Sequence, residues 1–111
     1  MKCERCGKDL TEQWKKYKTY KGEEEHHNPP KFMMEEWQGT LHDLCVDCHD
    51  KLHIEVIKIL NKQAGLLKFC NSEYWVWKKM SMAQRLVAMA ETIEFTIKYI
   101  KKEDDTNTTS R

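Results

Sequence analysis

Residues 26–53 read HHNPPKFMMEEWQGTLHDLCVDCHDKLH, and this stretch holds all five histidines of the 111-residue chain. It also contains the pair Cys45-x2-Cys48, and a second pair, Cys3-x2-Cys6, lies close to the N-terminus. Four thiolates in two short pairs match the ligand set of one tetrahedral zinc ion. Because that ion needs no histidine, the sequence predicts a second role for the histidines.

The bulk composition indicates one small domain, with 40% hydrophobic residues and no apolar run long enough to span a bilayer. The first residues, Met-Lys-Cys-Glu-Arg-Cys, lack the apolar segment of a signal peptide, so we expect a cytoplasmic protein with no membrane partner. In a reducing compartment, paired cysteines bind metal more often than they form disulfides. A redox-active Cys-x2-Cys is the weaker alternative.

The net charge of +1 conceals a segregation of charge along the chain. Residues 1–21 carry seven Lys/Arg against three Asp/Glu, residues 22–50 carry one against eight, and residues 51–111 carry eleven against seven. Basic segments therefore flank the histidine-rich middle, which is compatible with a metal centre beside a phosphate-binding surface.

The secondary structure around the histidines follows from local signals. Pro29-Pro30 predicts extended backbone at His27, and residues 31–37 are expected to form a short helix that Gly39 ends. From Asp47 to a stop at Gly65, apolar residues recur at helical spacing. These residues are Leu52, Val56, Ile57, Ile59 and Leu60.

Two further helices are predicted after residue 65. Ser72 is expected to cap a short helix through Trp77, and Ser81-x2-Gln84 matches a capping box before a longer helix. Trp75 and Trp77 are attributed to helix packing. The last helix carries an amphipathic stripe of Leu86, Ala90, Ile93, Ile97 and Ile100.

The histidines divide by position. His49 and His53 lie four apart on one helix face and can converge on one ion, while His26-His27 can supply a third ligand and a base. His42 is interpreted as a surface or capping residue. Cys70, which has no Cys-x2-Cys partner, is interpreted as a buried small hydrophobe.

The whole pattern, Cys3-x2-Cys6, His26-His27-Asn28-Pro29-Pro30, then Cys45-x2-Cys48-His49-x3-His53, resembles the zinc-bearing HNH endonucleases with their ββα-metal active site. The resemblance covers residues 3–53. It implies that His27, three positions before Pro30, is the general base and that His26, His49 and His53 bind a divalent ion. It also implies cleavage of DNA to a 3′ hydroxyl and a 5′ phosphate.

Two positions depart from that family pattern. Thr40 stands where many members have an asparagine that braces the loop around the base, so bracing is expected from Asn28 or from the backbone. His49 makes the ligand set rich in imidazole, which favours Zn²⁺, Ni²⁺ or Mn²⁺ over Mg²⁺.

The expected fold is α+β: the resemblance implies a small zinc-bound ββα-metal core, and the capping and periodicity signals after residue 65 add two or three C-terminal helices. The expected division is a core over residues 1–62, a helical extension packed on it over residues 63–102, and a disordered tail over residues 103–111. Cys3, Cys6, Cys45 and Cys48 would hold structural zinc. By analogy with small nucleases of phages and mobile elements, we expect a role in phage DNA processing or host defence.

Residues 13–25 are expected to form an extended hairpin in which lysines and aromatic rings grip the DNA backbone. The candidate nucleic-acid-binding residues are Lys15, Lys16, Lys18 and Lys21, beside Trp14, Tyr17 and Tyr20. A solvated hairpin is equally compatible with them. Glu23-Glu24-Glu25 is interpreted as a solvated charge run, with an outer carboxylate for a ligand histidine as the alternative.

Two other functions remain open at this point. A non-catalytic zinc module could keep the fold and act as an inhibitor, adaptor or regulator that binds protein or nucleic acid. A purely structural zinc protein would need none of its histidines. In either case the C-terminal helices are also candidates for contact with a protein partner or a second copy of the chain.

Overall fold

The computed structural model describes residues 2–10 and 25–102. Most of the predicted hairpin, the four candidate lysines, Glu23, Glu24 and the predicted tail therefore lie outside the described residues. Over the described part, the protein is a small α+β domain with a two-stranded antiparallel sheet and three α-helices. Within these ranges, no helix combines the length and the apolar character needed to cross a membrane.

The elements follow one another in the order ββααα. Strands β1 and β2 span Glu25–Asn28 and Thr40–Asp43, and a single 3₁₀ turn at Lys31–Met33 lies between them. Helices α1, α2 and α3 span Val46–Ala64, Glu73–Lys79 and Met82–Ile100. The antiparallel register pairs His26 with His42 and His27 with Leu41.

Helix α1 begins at Val46, one residue before the predicted start at Asp47, and it ends at the predicted stop, Gly65. Cys45 is the N-cap, and its sulfur accepts a hydrogen bond from the backbone N–H of Cys48. Gly65 ends the helix with a left-handed φ of 64° and donates its N–H to the carbonyl of Asn61. Glycine adopts this conformation without the steric cost that a Cβ imposes.

The core forms where α1 packs against both α2 and α3. Leu52, Val56 and Leu60 on α1 are fully buried, as their helical spacing predicts. They meet Val76 and Trp77 of α2 in one apolar cluster. Asn61 also holds the loop after α1, because its side chain exchanges two 2.8 Å hydrogen bonds with the backbone of Cys70.

Both later helices start at the predicted caps. Ser72 caps α2, and Ser81 with Gln84 forms a complete capping box at the start of α3. The predicted apolar stripe of α3 is wrong in part, since Leu86, Ala90 and Ile97 are exposed. The helix instead buries small and β-branched residues, namely Ala88, Thr92 and Thr96.

The predicted helix over residues 31–37 is reduced to the 3₁₀ turn. Met34 already has extended backbone, with φ −134° and ψ 124°. The chain then bends back, so that the indole N–H of Trp37 donates to the carbonyl of Pro29 at 2.7 Å. A continuous helix would carry Trp37 away from that carbonyl, and the tertiary contact therefore overrides the local helix signal.

Truncation of a buried leucine on α1 tests this packing. Leu60→Ala is expected to lower the free energy of unfolding by about 2–5 kcal/mol, because it removes a fully buried side chain and leaves a cavity. The matched control is Leu86→Ala, since Leu86 is 58% exposed and should cost under about 0.5 kcal/mol. Urea unfolding measures both values, and equal losses would contradict the assignment of the core.

Candidate metal centres

Cys3 and Cys6 lie in a tight loop whose backbone is held by hydrogen bonds. The N–H of Cys3 donates to the Lys8 carbonyl at 2.8 Å, and the N–H of Gly7 donates to the Cys3 carbonyl at 2.9 Å. Gly7 has a φ of 78°, which suits glycine. This turn exposes amide hydrogens towards the sulfurs, and the Cys6 N–H lies 3.5 Å from Cys3 Sγ.

The two cysteine pairs converge on one point. The sulfurs of Cys3, Cys6, Cys45 and Cys48 all lie within 4.8 Å of one another. Cys6 Sγ and Cys45 Sγ are 3.8 Å apart. Tetrahedral coordination with bonds of about 2.3 Å places sulfurs about 3.8 Å apart, so the cluster has the dimensions of a four-thiolate metal site.

The electrostatics of the cluster also favour a cation. Burial and the neighbouring thiols raise the pKa of Cys48 to about 12, and burial likewise raises the pKa of Cys45. Burial opposes ionisation of Cys3 too, but hydrogen bonds from backbone N–H groups lower its pKa to about 6. Cys45 and Cys48 therefore stay protonated near neutral pH unless a cation offsets the charge of their thiolates.

The cluster is tied to the far end of α3. Tyr99 donates its hydroxyl to the carbonyl of Cys48 at 2.8 Å, and Arg5 donates to the carbonyl of Tyr99 at 3.1 Å. The Arg5 guanidinium also lies 4.1 Å from the centre of the Tyr99 ring. The last helix thus holds both cysteine pairs in place, which the sequence did not indicate.

A second cluster is formed by His26, His49 and His53. One ring nitrogen from each lies within 4.8 Å of the others. The ring centres are 5.3 Å apart for His26 and His49, 5.0 Å for His26 and His53, and 4.7 Å for His49 and His53. The structure therefore brings together the three histidines that the sequence predicts as ligands of one ion.

His26 is the most constrained member of this histidine cluster. It is only 1% exposed, and among the described residues neither of its ring nitrogens has a hydrogen-bond partner. Burial, followed by the nearby rings of His53 and His49, lowers its pKa to about 3. A buried polar group without a partner is costly, and a neutral imidazole is the form that binds metal, so the cluster fits a metal ion.

The distance between the two α1 histidines agrees with this interpretation. His49 Nε2 and His53 Nε2 are 3.0 Å apart. Two imidazoles on one tetrahedral ion, with bonds of about 2.0–2.1 Å, have nitrogens about 3.3 Å apart. The pair needs to separate only slightly to serve as two ligands of one ion.

Glu73 fixes the orientation of His53. Glu73 Oε2 lies 2.6 Å from His53 Nδ1, which leaves Nε2 of the same ring directed at His49. A carboxylate on the outer nitrogen fixes the tautomer and orientation of a ligand histidine and makes it a better donor. The sequence did not identify this role, because it depends on how α2 packs against α1.

His27 has a different environment from His26. Its ring packs against Trp37 with ring centres 5.0 Å apart. Gly39 permits this arrangement, because a Cβ there would clash with the carbonyl of Asn28 and lie 2.7 Å from the Trp37 ring. Trp37 therefore supports the residue that the sequence predicts as the base, although no sequence signal distinguished it.

Asn28, which was expected to brace the loop around the base, and Thr40, which replaces the bracing asparagine of the family, contact other groups. The Asn28 amide lies 3.4 Å from the carbonyl of Ile93 on α3, and Thr40 Oγ1 lies 2.8 Å from His42 Nε2. His42 also bonds to Glu4 at 2.8 Å through its other ring nitrogen, in agreement with its predicted surface role. Cys70 is half-buried against the core and is not part of the cysteine cluster.

A cavity of about 440 Å³ opens beside the histidine cluster. His49, His53 and Glu73 form part of its wall. The rest of the lining consists of Val46, Asp50, Ile54, Ile57 and Asn71. A ligand that reached the histidines from this side would meet both apolar and acidic side chains.

Replacing Cys48, which belongs to the cysteine cluster, should affect metal binding and stability, whereas replacing Cys70, which lies outside it, should not affect metal binding. Cys48→Ser should remove one bound metal ion per chain and lower the melting temperature by more than about 10 °C, because metal-binding energy contributes to folding. Cys70→Ser is the control and should retain the metal. Elemental analysis and thermal unfolding measure these effects, and full metal content in Cys48→Ser would contradict the four-cysteine site.

The contact between Glu73 and His53 predicts an effect on the second site. Glu73→Gln should weaken Co²⁺ binding at the histidine cluster about 10- to 100-fold, because the amide orients His53 less strongly. The control is Glu94→Gln, since Glu94 pairs with Lys98 on the surface of α3. Titration followed by Co²⁺ absorption measures the affinity. An unchanged affinity in Glu73→Gln would show that this carboxylate does not support the site.

Comparison with known proteins gives no match to a family model, to a curated protein or to a solved structure.

Proposed function

We propose that the protein is a metal-dependent endonuclease of the HNH type that hydrolyses phosphodiester bonds in DNA. One observation carries the proposal: His26, His49 and His53 converge within 4.8 Å, and the next residue on β1 is a further histidine. Zinc at the cysteine cluster would be structural. The divalent ion at the histidine cluster would take part in catalysis.

Each side chain has a defined role in the proposed reaction. His27 accepts a proton from the water that attacks phosphorus, since imidazole is the side chain whose ordinary pKa suits a base near neutral pH. A new P–O bond forms to the water oxygen, and the bond to the 3′ oxygen breaks. The departing oxygen takes a proton from solvent, which gives the 3′ hydroxyl and the 5′ phosphate.

The other residues hold the site in its working geometry. His26, His49 and His53 hold the cation, and Glu73 and Trp37 position His53 and His27 respectively. When bound, a divalent ion stabilises charge on the scissile phosphate and on the leaving oxygen. The three neutral imidazoles favour Zn²⁺, Ni²⁺ or Mn²⁺, and Mg²⁺ would suit a site with more oxygen ligands.

The alternative function is a non-catalytic zinc module that binds another protein. The exposed apolar residues of α3 support it: Met82, Leu86, Val87 and Ile97. An inhibitor, an adaptor or a homodimer would use such a surface and would not need an intact base. This alternative and the nuclease therefore differ in whether phosphodiester hydrolysis depends on His27.

Cleavage of supercoiled plasmid tests the nuclease directly. The wild-type protein should nick the plasmid with at least one of Mg²⁺, Mn²⁺, Ni²⁺ or Zn²⁺. His27→Ala should lower the rate about 10²- to 10⁴-fold while metal content stays unchanged, because only the base is lost. His42→Ala is the matched control, since His42 lies outside the histidine cluster, and it should nick at the wild-type rate.

Two outcomes would count against this assignment. Nicking that persists in His27→Ala would exclude His27 as the base. Absence of nicking with every metal, in a protein that carries metal at both clusters, would favour the non-catalytic module.

A further inference from the structure

One face of α2 combines aromatic rings with positive charge. Tyr74 and Trp75 are 56% and 58% exposed, and Lys78 and Lys79 follow one helical turn later on the same face. We call these four residues the α2 surface. The ammonium of Lys78 lies 5.2 Å from the centre of the Tyr74 ring and 5.5 Å from that of Trp75, and the ammonium of Lys79 lies 5.7 Å from the centre of the Trp75 ring.

This arrangement corrects the sequence-based interpretation of the two tryptophans. Trp77 is buried in the core, as predicted, but Trp75 is not used for packing. An exposed tryptophan beside an exposed tyrosine leaves a large apolar area in water, which often marks an interaction site. In the described part of the chain, neither lysine of the α2 surface is paired with a carboxylate, so its positive charge is available to a partner.

The α2 surface lies next to the histidine cluster. Glu73, which immediately precedes Tyr74, holds His53. On the other side, the ring of Phe32 packs edge-on against Tyr74 with ring centres 6.0 Å apart, and Phe32 belongs to the turn that follows β1. Helix α2 therefore contacts both α1, which carries His49 and His53, and the turn that follows β1.

The chemistry of the surface matches an unpaired nucleic-acid strand. Exposed aromatic rings bind bases by stacking, and ammonium groups bind the phosphates between them. In a duplex the faces of the bases are already stacked on one another and cannot reach a flat protein ring. A surface that offers rings together with lysines is therefore better suited to single-stranded than to double-stranded DNA.

We propose that the α2 surface binds an unpaired segment of the DNA substrate and directs it towards the histidine cluster. The choice of DNA rests on the proposed nuclease function, whereas the preference for an unpaired strand rests on the α2 surface alone. Tyr74 and Trp75 stack on bases, and Lys78 and Lys79 bind phosphates. The natural substrate would then contain a single-stranded region, such as a flap, a gap or a displaced strand.

Binding can be measured without cleavage. The test uses the full chain with His27→Ala, no added divalent ion, and a fluorescently labelled 15-nucleotide oligothymidine followed by anisotropy. Trp75→Ala should weaken binding about tenfold, which is the typical value of one stacked base. Lys78→Gln should weaken binding and lower the slope of log K against log salt by about 0.7, as expected for one phosphate contact on a single strand.

The controls are Leu86→Ala and Lys98→Gln, which remove an exposed apolar residue and an exposed lysine from α3. Both should bind as the parent does. Circular dichroism should show that Trp75→Ala remains folded, because its side chain lies largely in solvent. A labelled duplex of the same length should bind more weakly than the single strand.

Unchanged affinity in Trp75→Ala, or equal affinity for duplex and single strand, would overturn the proposal. These outcomes do not decide whether the protein is a nuclease. If the wild-type protein nicks the plasmid and Trp75→Ala binds DNA as tightly as the parent, the role proposed for the α2 surface is excluded and the nuclease proposal stands. Binding that depends on Trp75 in a protein that never nicks DNA would support the α2 surface and exclude the nuclease.

Discussion

The meeting of two cysteine pairs, far apart in sequence, is the constraint on which the rest of this structure depends. Cys45 both belongs to the cysteine cluster and caps α1. The cluster therefore determines where α1 starts. His49 and His53 follow one and two turns later, and each residue advances the helix by about 100°. A start displaced by one residue would turn both imidazoles away from His26.

The register of the two strands is the second constraint, and it decides which histidine enters the cluster. Neighbouring residues of a strand point to opposite faces, so a slip of one residue would exchange His26 and His27. The backbone N–H of Glu4 donates to the Asp43 carbonyl, and the Glu4 carboxylate accepts from the Asp43 N–H, both at 2.8 Å. The cysteine loop thus holds β2 at its end, and the two constraints reinforce each other.

How much could be predicted from the sequence depended on how far apart in the sequence the interacting residues lie. Gly65, Ser72 and Ser81 act on backbone within a few residues, and the helix ends that they predicted are confirmed. The start of α1 was predicted one residue late, because Cys45 was not recognised as its N-cap. The pairing of His49 with His53 followed from their spacing on one helix, and the choice of His26 as third ligand followed only from the resemblance to HNH endonucleases. Glu73 and Trp37 could not be found in this way, because their partners are brought near only by tertiary packing.

The predicted apolar stripe of α3 was wrong in part for a related reason. Two faces of this helix carry apolar residues at helical spacing, and the sequence analysis chose the face with the larger aliphatic side chains. The buried face has Ala88, Thr92 and Thr96, which occupy little space. Small residues allow α3 to approach α1 closely, so the packing partner selects the face, and hydrophobicity alone does not.

The distribution of charge around the histidine cluster bears on how a phosphate could reach it. Glu73 and Asp50 place two acidic side chains in the wall of the cavity. The α2 surface, beyond Glu73, carries Lys78 and Lys79. Without a metal ion, a polyanion is repelled by the acidic wall and attracted by the lysines. A divalent ion held by the three histidines would attract a phosphate to the cluster itself. In the proposed nuclease, the strand would therefore approach over α2, and the cavity, with Val46, Ile54 and Ile57, would suit an uncharged part of the substrate such as a base.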